Sequence, residues 1–281
     1  MNMNLDGKRR TLESILKDMG RVVVAYSGGV DSTLLLKVAV DTLGADNVLA
    51  CISVGVTQPK GQYEHARKLT KQMGVELVAV ELNDLDDAQF AENTPDRCFY
   101  CKSNICTALL EMARERGFPH LVFGSNADDK KDFRPGNKAL DTFQIRSPLA
   151  EAGLTKAEIR ELSHRLGLST AEMPANPCLV SRLQYGLPIT TERLRQVDEA
   201  EQVLRRLGFV EVRVRHHDTI ARIEVRPLDV PKLLAEPVRA KVIGRLKALG
   251  FRFVTVDLEG FRSGSLNESL SDEQKKASLE V

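Results

Sequence analysis

The sequence predicts an α/β fold, a doubly wound parallel sheet followed by a smaller C-terminal α+β domain. Three observations predict it. Short β-branched runs alternate with apolar helical stretches through the first part of the chain, and a glycine-rich segment joins the first run to a helix. Near Gly186 the alternation gives way to a helix, two strands, a helix and a strand. At 281 residues the chain can bury a core in each part.

Taken in order, Leu12, Ile15, Leu16 and Met19 recur at helical spacing, and Arg21 to Tyr26 reads as a strand. The helix expected from Ser32 to Leu43 is apolar nearly all round and so packs against a sheet, with Gly44 ending it. Strand Val48 to Val54, helix Tyr63 to Met73, strand Glu76 to Leu82, helix Lys102 to Arg116 and strand His120 to Gly124 repeat the pattern. A helix from Lys156 to Leu166 precedes the loop Pro174 to Cys178. Helix Thr191 to Leu207, strands Phe209 to Arg215 and Thr219 to Arg226, helix Val230 to Leu249 and strand Phe251 to Leu258 complete the reading. The expected organisation is a doubly wound domain over 1–185, a small α+β substrate or oligomerisation domain over 186–262, and a flexible tail over 263–281, poor in apolar residues. Loops in such sheets gather at the carboxyl ends of strands, so those after Tyr26, Val54 and Phe123 should line one crevice.

With 40 basic and 39 acidic side chains, the net charge of +1 argues against bulk attraction to nucleic acid or an acidic membrane. Arg182 to Arg262 holds 16 basic against 11 acidic residues, which makes this part the better partner for phosphate groups. The polar start of the chain lacks the core of a signal peptide, and no apolar run nears the roughly 18 residues of a membrane helix. A soluble, cytoplasmic protein is expected.

A strand running into Ser27-Gly28-Gly29-Val30-Asp31-Ser32 and then a helix sets successive N–H groups and the positive helix end around an anion. Glycines permit close approach, Ser27, Ser32 and Thr33 add hydroxyl donors, and Asp31 beside phosphates suits a ligand of phosphate-bound Mg²⁺. No Walker lysine is present. A bare Gly-Gly turn could be an ordinary capped strand-to-helix turn, but the full string resembles the PP-loop ATP pyrophosphatases of the N type, which include NAD and GMP synthetases, asparagine synthetases and tRNA thiolases. That resemblance implies cleavage of ATP between its α and β phosphates, leaving AMP on the substrate and releasing pyrophosphate. It also implies nucleotide-side roles for Gly124 and Asn126, in the loop Gly124 to Asp129, and a seat for adenine on the backbone at Ser53.

Five cysteines in an apparently cytosolic chain point to metal or thiol chemistry rather than a disulfide framework. Cys98-Phe-Tyr-Cys101 opens a predicted helix at a spacing that lets both thiolates reach one metal centre, and Cys178 sits in a Pro-Cys loop just before Ser181-Arg182. Three thiolates leave one position open, which suits a 4Fe–4S cluster with one open iron, although four cysteines are usual. A redox pair, or small part-buried residues, are the other readings of Cys98 and Cys101. Cys51 and Cys106 lie among apolar residues and are expected in the core.

Together these features resemble the LarE-type ATP-dependent sulfur transferases over most of the chain. The resemblance rests on Ser27 to Ser32, Arg97-Cys98-Phe-Tyr-Cys101-Lys102, Pro177-Cys178-Leu-Val-Ser181-Arg182 and the run Val256 to Asn267. It implies adenylation of a pyridinium carboxylate on a mononucleotide, attack by protein-bound sulfur, loss of AMP and delivery of a thiocarboxylate for the nickel-pincer cofactor. Members with only the cysteine matching Cys178 give up its sulfur and keep dehydroalanine, whereas members with all three hold a 4Fe–4S cluster that carries an extra sulfide. This chain has all three, so the cluster type is expected, with Cys178 sacrificial when the cluster is absent. Trimeric or hexameric assembly is implied as well.

Arg182, beside the cysteine loop, is the expected further catalytic residue. Arg213 and Arg215 alternate along one strand, where they either clamp a substrate phosphate or carboxylate or line a solvated face. The resemblance implies acidic residues of the second domain near the sulfur site, for which Glu201, Glu224 and Asp257 are candidates; each could equally pair with a neighbouring arginine. Adjacent His216 and His217 point apart and read as turn residues. The rival functions are a tRNA-thiolating PP-loop enzyme, disfavoured by the near-neutral charge and the lack of an RNA-binding module, and a non-catalytic nucleotide-binding protein, disfavoured by the intact Asp31 and Ser32.

Overall fold

Val22, Val23 and Val24 are all fully buried, which places their strand, β1 (Val22–Ala25), inside a sheet covered on both faces. The computed structural model describes residues 4–130, 135–262 and 264–280; Ser263 and Val281 of the expected tail lie outside the described residues. Packing divides the chain into two units, the first comprising Met1–Gly55, Lys60–Leu82 and Cys98–Asn176.

In the first unit β1 pairs in parallel with β2 (Val48–Val54) and β4 (His120–Phe123), and β3 (Leu77–Glu81) adds to β2, for the order β3-β2-β1-β4. Successive β1 side chains enter different cores. Val22 and Val24 join Leu12 and Leu16 of α1 (Leu5–Met19), Leu34 and Leu35 of α2 (Val30–Leu43), Leu69 of α3 (Gln62–Met73) and Ile159 of α8 (Lys156–Arg165). Val23 instead joins Cys106 and Leu109 of α5 (Arg97–Glu115) with Leu140 of α6 (Pro135–Thr142). Helices on both faces of a parallel sheet are the doubly wound arrangement expected from the sequence. Helix α5 starts at Arg97, earlier than the expected Lys102, so Cys98 and Cys101 fall within its first two turns.

The second unit comprises Val56–Pro59, Asn83–Arg97 and Pro177–Val281, so packing groups two short upstream stretches and residues 177–185 with the C-terminal part instead of breaking the chain at 185. Short α4 (Ala88–Ala91) lies here, and α7 (Pro148–Glu151) in the first unit. A mixed sheet has the order β5-β6-β7, with β5 (Val212–His217) antiparallel to β6 (Ile220–Val225) and β6 parallel to β7 (Phe253–Val256). Val212, Val214, Ile223 and Val225 pack with Leu204 of α9 (Thr191–Arg206) and Leu246 of α11 (Val238–Ala248).

Three expectations are corrected here. The single helix Val230 to Leu249 is two, α10 (Val230–Leu234) and α11, because Pro237 has no N–H to continue a helical ladder and stands instead at the N-cap of α11. His216 and His217 belong to β5 rather than to a turn; the reversal is made by Asp218, at φ 55°, and Thr219. The expected tail carries a 3₁₀ turn (Ser265–Ser269) and α12 (Asp272–Glu280), with Ser265 and Leu270 buried. No helix among the described residues is long and apolar enough to cross a membrane.

Candidate active site

Gly28, at φ 76°, turns the chain out of β1, and Gly29 caps α2 in an extended conformation while its carbonyl accepts the Thr33 N–H at 2.9 Å. Two serine hydroxyls brace the turn: Ser27 Oγ lies 3.2 Å from Ser32 Oγ, and Ser32 Oγ donates to the Gly29 carbonyl at 3.2 Å. From α3, the Gln62 amide donates to the Ser27 carbonyl at 3.1 Å. The loop is thus held from behind, with the positive end of α2 facing forward. Thr33 departs from its expected role, since it is fully buried and its hydroxyl lies 3.2 Å from that of Tyr26 in the core.

Asp31 has two differently used oxygens. Oδ2 accepts from Lys156 Nζ, while Oδ1 is buried with no hydrogen-bond partner among the described residues. An orphaned carboxylate oxygen at a helix start facing phosphate donors fits a Mg²⁺ ligand. Lys156 is a functional candidate that sequence reasoning misses. It is the first residue of α8, fixed by a capping box between Thr155 and Glu158 and by its own N–H to Asp128 Oδ2 at 2.8 Å. The string Thr155-Lys-Ala-Glu158 announces the helix start, but nothing local announces a carboxylate 125 residues away.

The loop after β4 meets the phosphate loop at Gly124, where a Cβ would stand 3.0 Å from Ser32 N and 3.1 Å from Ser32 Cα. No larger residue fits there without moving the first turn of α2. Asn126 is buried and builds its own turn, Oδ1 accepting from Asp128 N–H at 2.9 Å and its N–H donating to Asp129 Oδ2 at 3.0 Å. Ser53 sits half-buried at the carboxyl end of β2.

Cys98 is exposed and Cys101 half-buried, a helical turn apart at the start of α5 in the first unit; Cys178 is exposed in the second unit. Cys51 and Cys106 are core residues, as expected, and burial pushes their thiols up to about 12 and about 11. Within either unit, among the described residues, no three His, Cys, Asp or Glu side chains are grouped to hold a metal ion. Cys98, Cys101 and Cys178 are thus the three cysteines that are not buried in a core.

The structure corrects the role of Arg182, whose side chain is 0% exposed and cannot present itself to substrate. Nε and Nη2 donate to Glu201 at 2.8 and 3.1 Å, and Nη1 donates to the carbonyls of Pro177 and Cys178 at 2.6 and 2.9 Å. Its fork therefore clamps the backbone that carries Cys178. Burial pushes the Glu201 carboxyl up, yet Arg182, with Arg213 and Arg205 behind it, holds it below the usual range. Arg213 and Arg215 are buried rather than on a solvated face. Arg215 grips Glu224 through two bonds of 2.9 and 2.7 Å and donates to the Ser181 carbonyl at 2.7 Å and to Ser265 Oγ at 2.9 Å. Asp257 pairs with Arg222 and Arg262. Burial, followed by the charge of Arg182, pushes the Arg213 guanidinium down to about 10, so it stays charged at neutral pH near Arg182, Arg205 and Arg215, with Glu201 and Glu224 as counter-charges.

A parallel sheet with this loop at the carboxyl end of β1 and a carboxylate oxygen of Asp31 buried beside it defines an enzyme of the PP-loop ATP pyrophosphatase class, and the NAD synthase family model matches residues 9–129. The chain is 39% identical over 267 residues to the pyridinium-3,5-bisthiocarboxylic acid mononucleotide synthase of Lactiplantibacillus plantarum, covering 95% of this chain and 96% of that protein. An uncharacterised protein of Synechocystis is 38% identical over 95% of this chain and 99% of its own length, and one of Methanocaldococcus jannaschii is 29% identical over 86% and 91%. The chain belongs to the pyridinium-3,5-bisthiocarboxylic acid mononucleotide synthase family.

Proposed function

We propose that this enzyme uses ATP to adenylate a carboxylate of a pyridinium dicarboxylate mononucleotide and converts it to a thiocarboxylate for nickel-pincer cofactor synthesis. The observation that carries the reading is the phosphate loop 27–32 with Asp31 Oδ1 buried and unpartnered beside it. ATP with Mg²⁺ supplies what the chemistry lacks: a carboxylate oxygen leaves poorly, and an acyl adenylate turns it into a leaving group that a thiolate can displace. Ser27, Gly28, Gly29 and Ser32 hold the departing pyrophosphate, Asp31 holds Mg²⁺ and Lys156 neutralises the charge around it. Ser53, Gly124 and Asn126 shape the nucleotide side.

Cys98, Cys101 and Cys178 would hold a 4Fe–4S cluster, which when bound supplies a sulfide nucleophile from its open iron. Without it, the Cys178 thiolate displaces AMP, and cleavage of its Cβ–S bond by elimination leaves dehydroalanine and releases the thiocarboxylate. The Arg182–Glu201 pair orients Cys178, and Arg213 with Arg215 offers positive charge to the substrate's phosphate or carboxylate. We place the reaction in the cytoplasm and expect a homo-oligomer, a trimer or hexamer.

Exchange of labelled pyrophosphate into ATP in the presence of the pyridinium dicarboxylate mononucleotide tests the activation step, and a folded sample without exchange refutes it. Anaerobic reconstitution with iron and sulfide tests the sulfur source. Brown absorbance that disappears in Cys98, Cys101 or Cys178 variants supports the cluster, whereas a loss of one H₂S in mass from Cys178 after turnover supports the sacrificial route. Affinity for tRNA that falls steeply with salt would favour the thiolase rival instead.

A further inference from the structure

One imidazole beside the phosphate loop has no assigned task. His65 lies in the first turns of α3, the helix whose Gln62 holds the Ser27 carbonyl at 3.1 Å. A Cβ on Gly28 would meet His65 Cδ2 at 3.3 Å and Ala66 Cα at 3.6 Å, so the imidazole edge lies against the glycine that turns the loop. Cδ2 is bonded to Nε2, which places that nitrogen on the same edge. Nε2 is buried and makes no hydrogen bond among the described residues. A buried ring nitrogen without a partner is unfavourable unless the partner arrives with a ligand. Asp31 Oδ1, within the same loop, is orphaned in the same way. The pair has complementary chemistry, a carboxylate oxygen for a cation and a ring N–H for an anion, and Mg²⁺-bound polyphosphate satisfies both.

We infer that His65, in the tautomer with its proton on Nε2, donates a hydrogen bond to a non-bridging oxygen of the pyrophosphate moiety of ATP and follows that group as it leaves. The inference rests on the reading of loop 27–32 as a pyrophosphate cradle. The nucleotide enters with its β and γ phosphates over Gly28, and the imidazole edge lies directly against that glycine, which carries no side chain between them. Cleavage of the Pα–O bond then puts further negative charge on the β-phosphate oxygens, so the Nε2–H bond is stronger in the transition state than in the bound ground state. No proton is transferred.

Replacing His65 by Ala is expected to lower kcat/KM for ATP about 10- to 100-fold and to weaken pyrophosphate product inhibition in parallel, with KM for the mononucleotide unchanged. In His65→Gln the side-chain amide N–H stands near the position of Nε2 and restores most of the loss, which a packing role would not. Ala and Gln variants equally impaired, or an Ala variant within about twofold of wild type, overturn the inference. A measurement on the unaltered protein guards against variants that misfold. The ¹⁵N resonance of His65 Nε2 is followed while Mg²⁺ and inorganic pyrophosphate are added; a shift supports the contact, and an unchanged resonance at saturation overturns it. Calorimetry on the same titration separates the two levels of failure. If pyrophosphate does not bind at all, the cradle reading falls and this inference with it; if it binds while His65 stays unmoved, only the inference falls.

Discussion

Single side chains decide most at Gly124, Arg182 and His216. Gly124→Ala would press a methyl group against the backbone of Ser32, so the variant is expected to fold with a displaced first turn of α2 and to lose pyrophosphate exchange by at least about tenfold. Glu201→Gln removes the charge that balances a fully buried guanidinium, and breaking such a pair costs about 3–5 kcal/mol, read as a lower urea midpoint. The same variant loosens the backbone at Cys178, so alkylation of that thiol should change rate while that of Cys98 does not. His216 is buried against Phe251 and Gln196, and burial lowers its pKa from 6.5 to about 4. Between those values the unfolded chain takes up a proton that the folded chain refuses, so stability is full above pH 6.5 and declines as the pH falls towards 4. His216→Gln should flatten the dependence of the urea midpoint in that window, with His217, also lowered by burial, keeping part of the slope.

At the scale of elements, the capping box of α8 links stability to the site. Thr155→Ala is expected to cost about 1 kcal/mol of stability and, because Lys156 follows it directly, to raise KM for ATP as well. An Ala substitution on the exposed face of the same helix should change neither. The contrast shows what is legible in the sequence. The strand, loop and helix from Val22 to Leu43 are written in consecutive residues, so both their existence and their chemistry can be read directly. The ion pair of Lys156 with Asp31 is not, because each half looks complete where it stands. Alternation along β5 shows that Arg213 and Arg215 share a face, but their cover cannot be read from it: the Ser181 carbonyl and Ser265 come from distant stretches. The same limit hid the real task of Arg182, whose neighbour in sequence is the cysteine loop and whose neighbour in charge is Glu201 on α9.

For the whole molecule, ligand binding should be visible as stabilisation. Mg²⁺ and ATP at a hundredfold excess over Kd add about 2.7 kcal/mol to the unit that binds them, so the melting temperature should rise in wild type and rise less in Asp31→Asn. Light scattering at several protein concentrations tests the expected trimer or hexamer.

The second unit is stitched from three separate stretches, Val56–Pro59, Asn83–Arg97 and Pro177–Val281. On the ribosome its earliest pieces therefore emerge long before the stretch they bond with, Leu179 to Ile189, has been made, whereas the parallel sheet of the first unit is complete once β4 is out. The sequence order thus imposes a schedule: the half that holds ATP can form first, and the half that carries Cys178 must wait until translation is nearly finished. A gene cut at Pro177 would not release a self-sufficient C-terminal fragment, since Asn93, whose amide holds the Gln184 and Leu187 carbonyls at 2.8 and 2.6 Å, would be left behind.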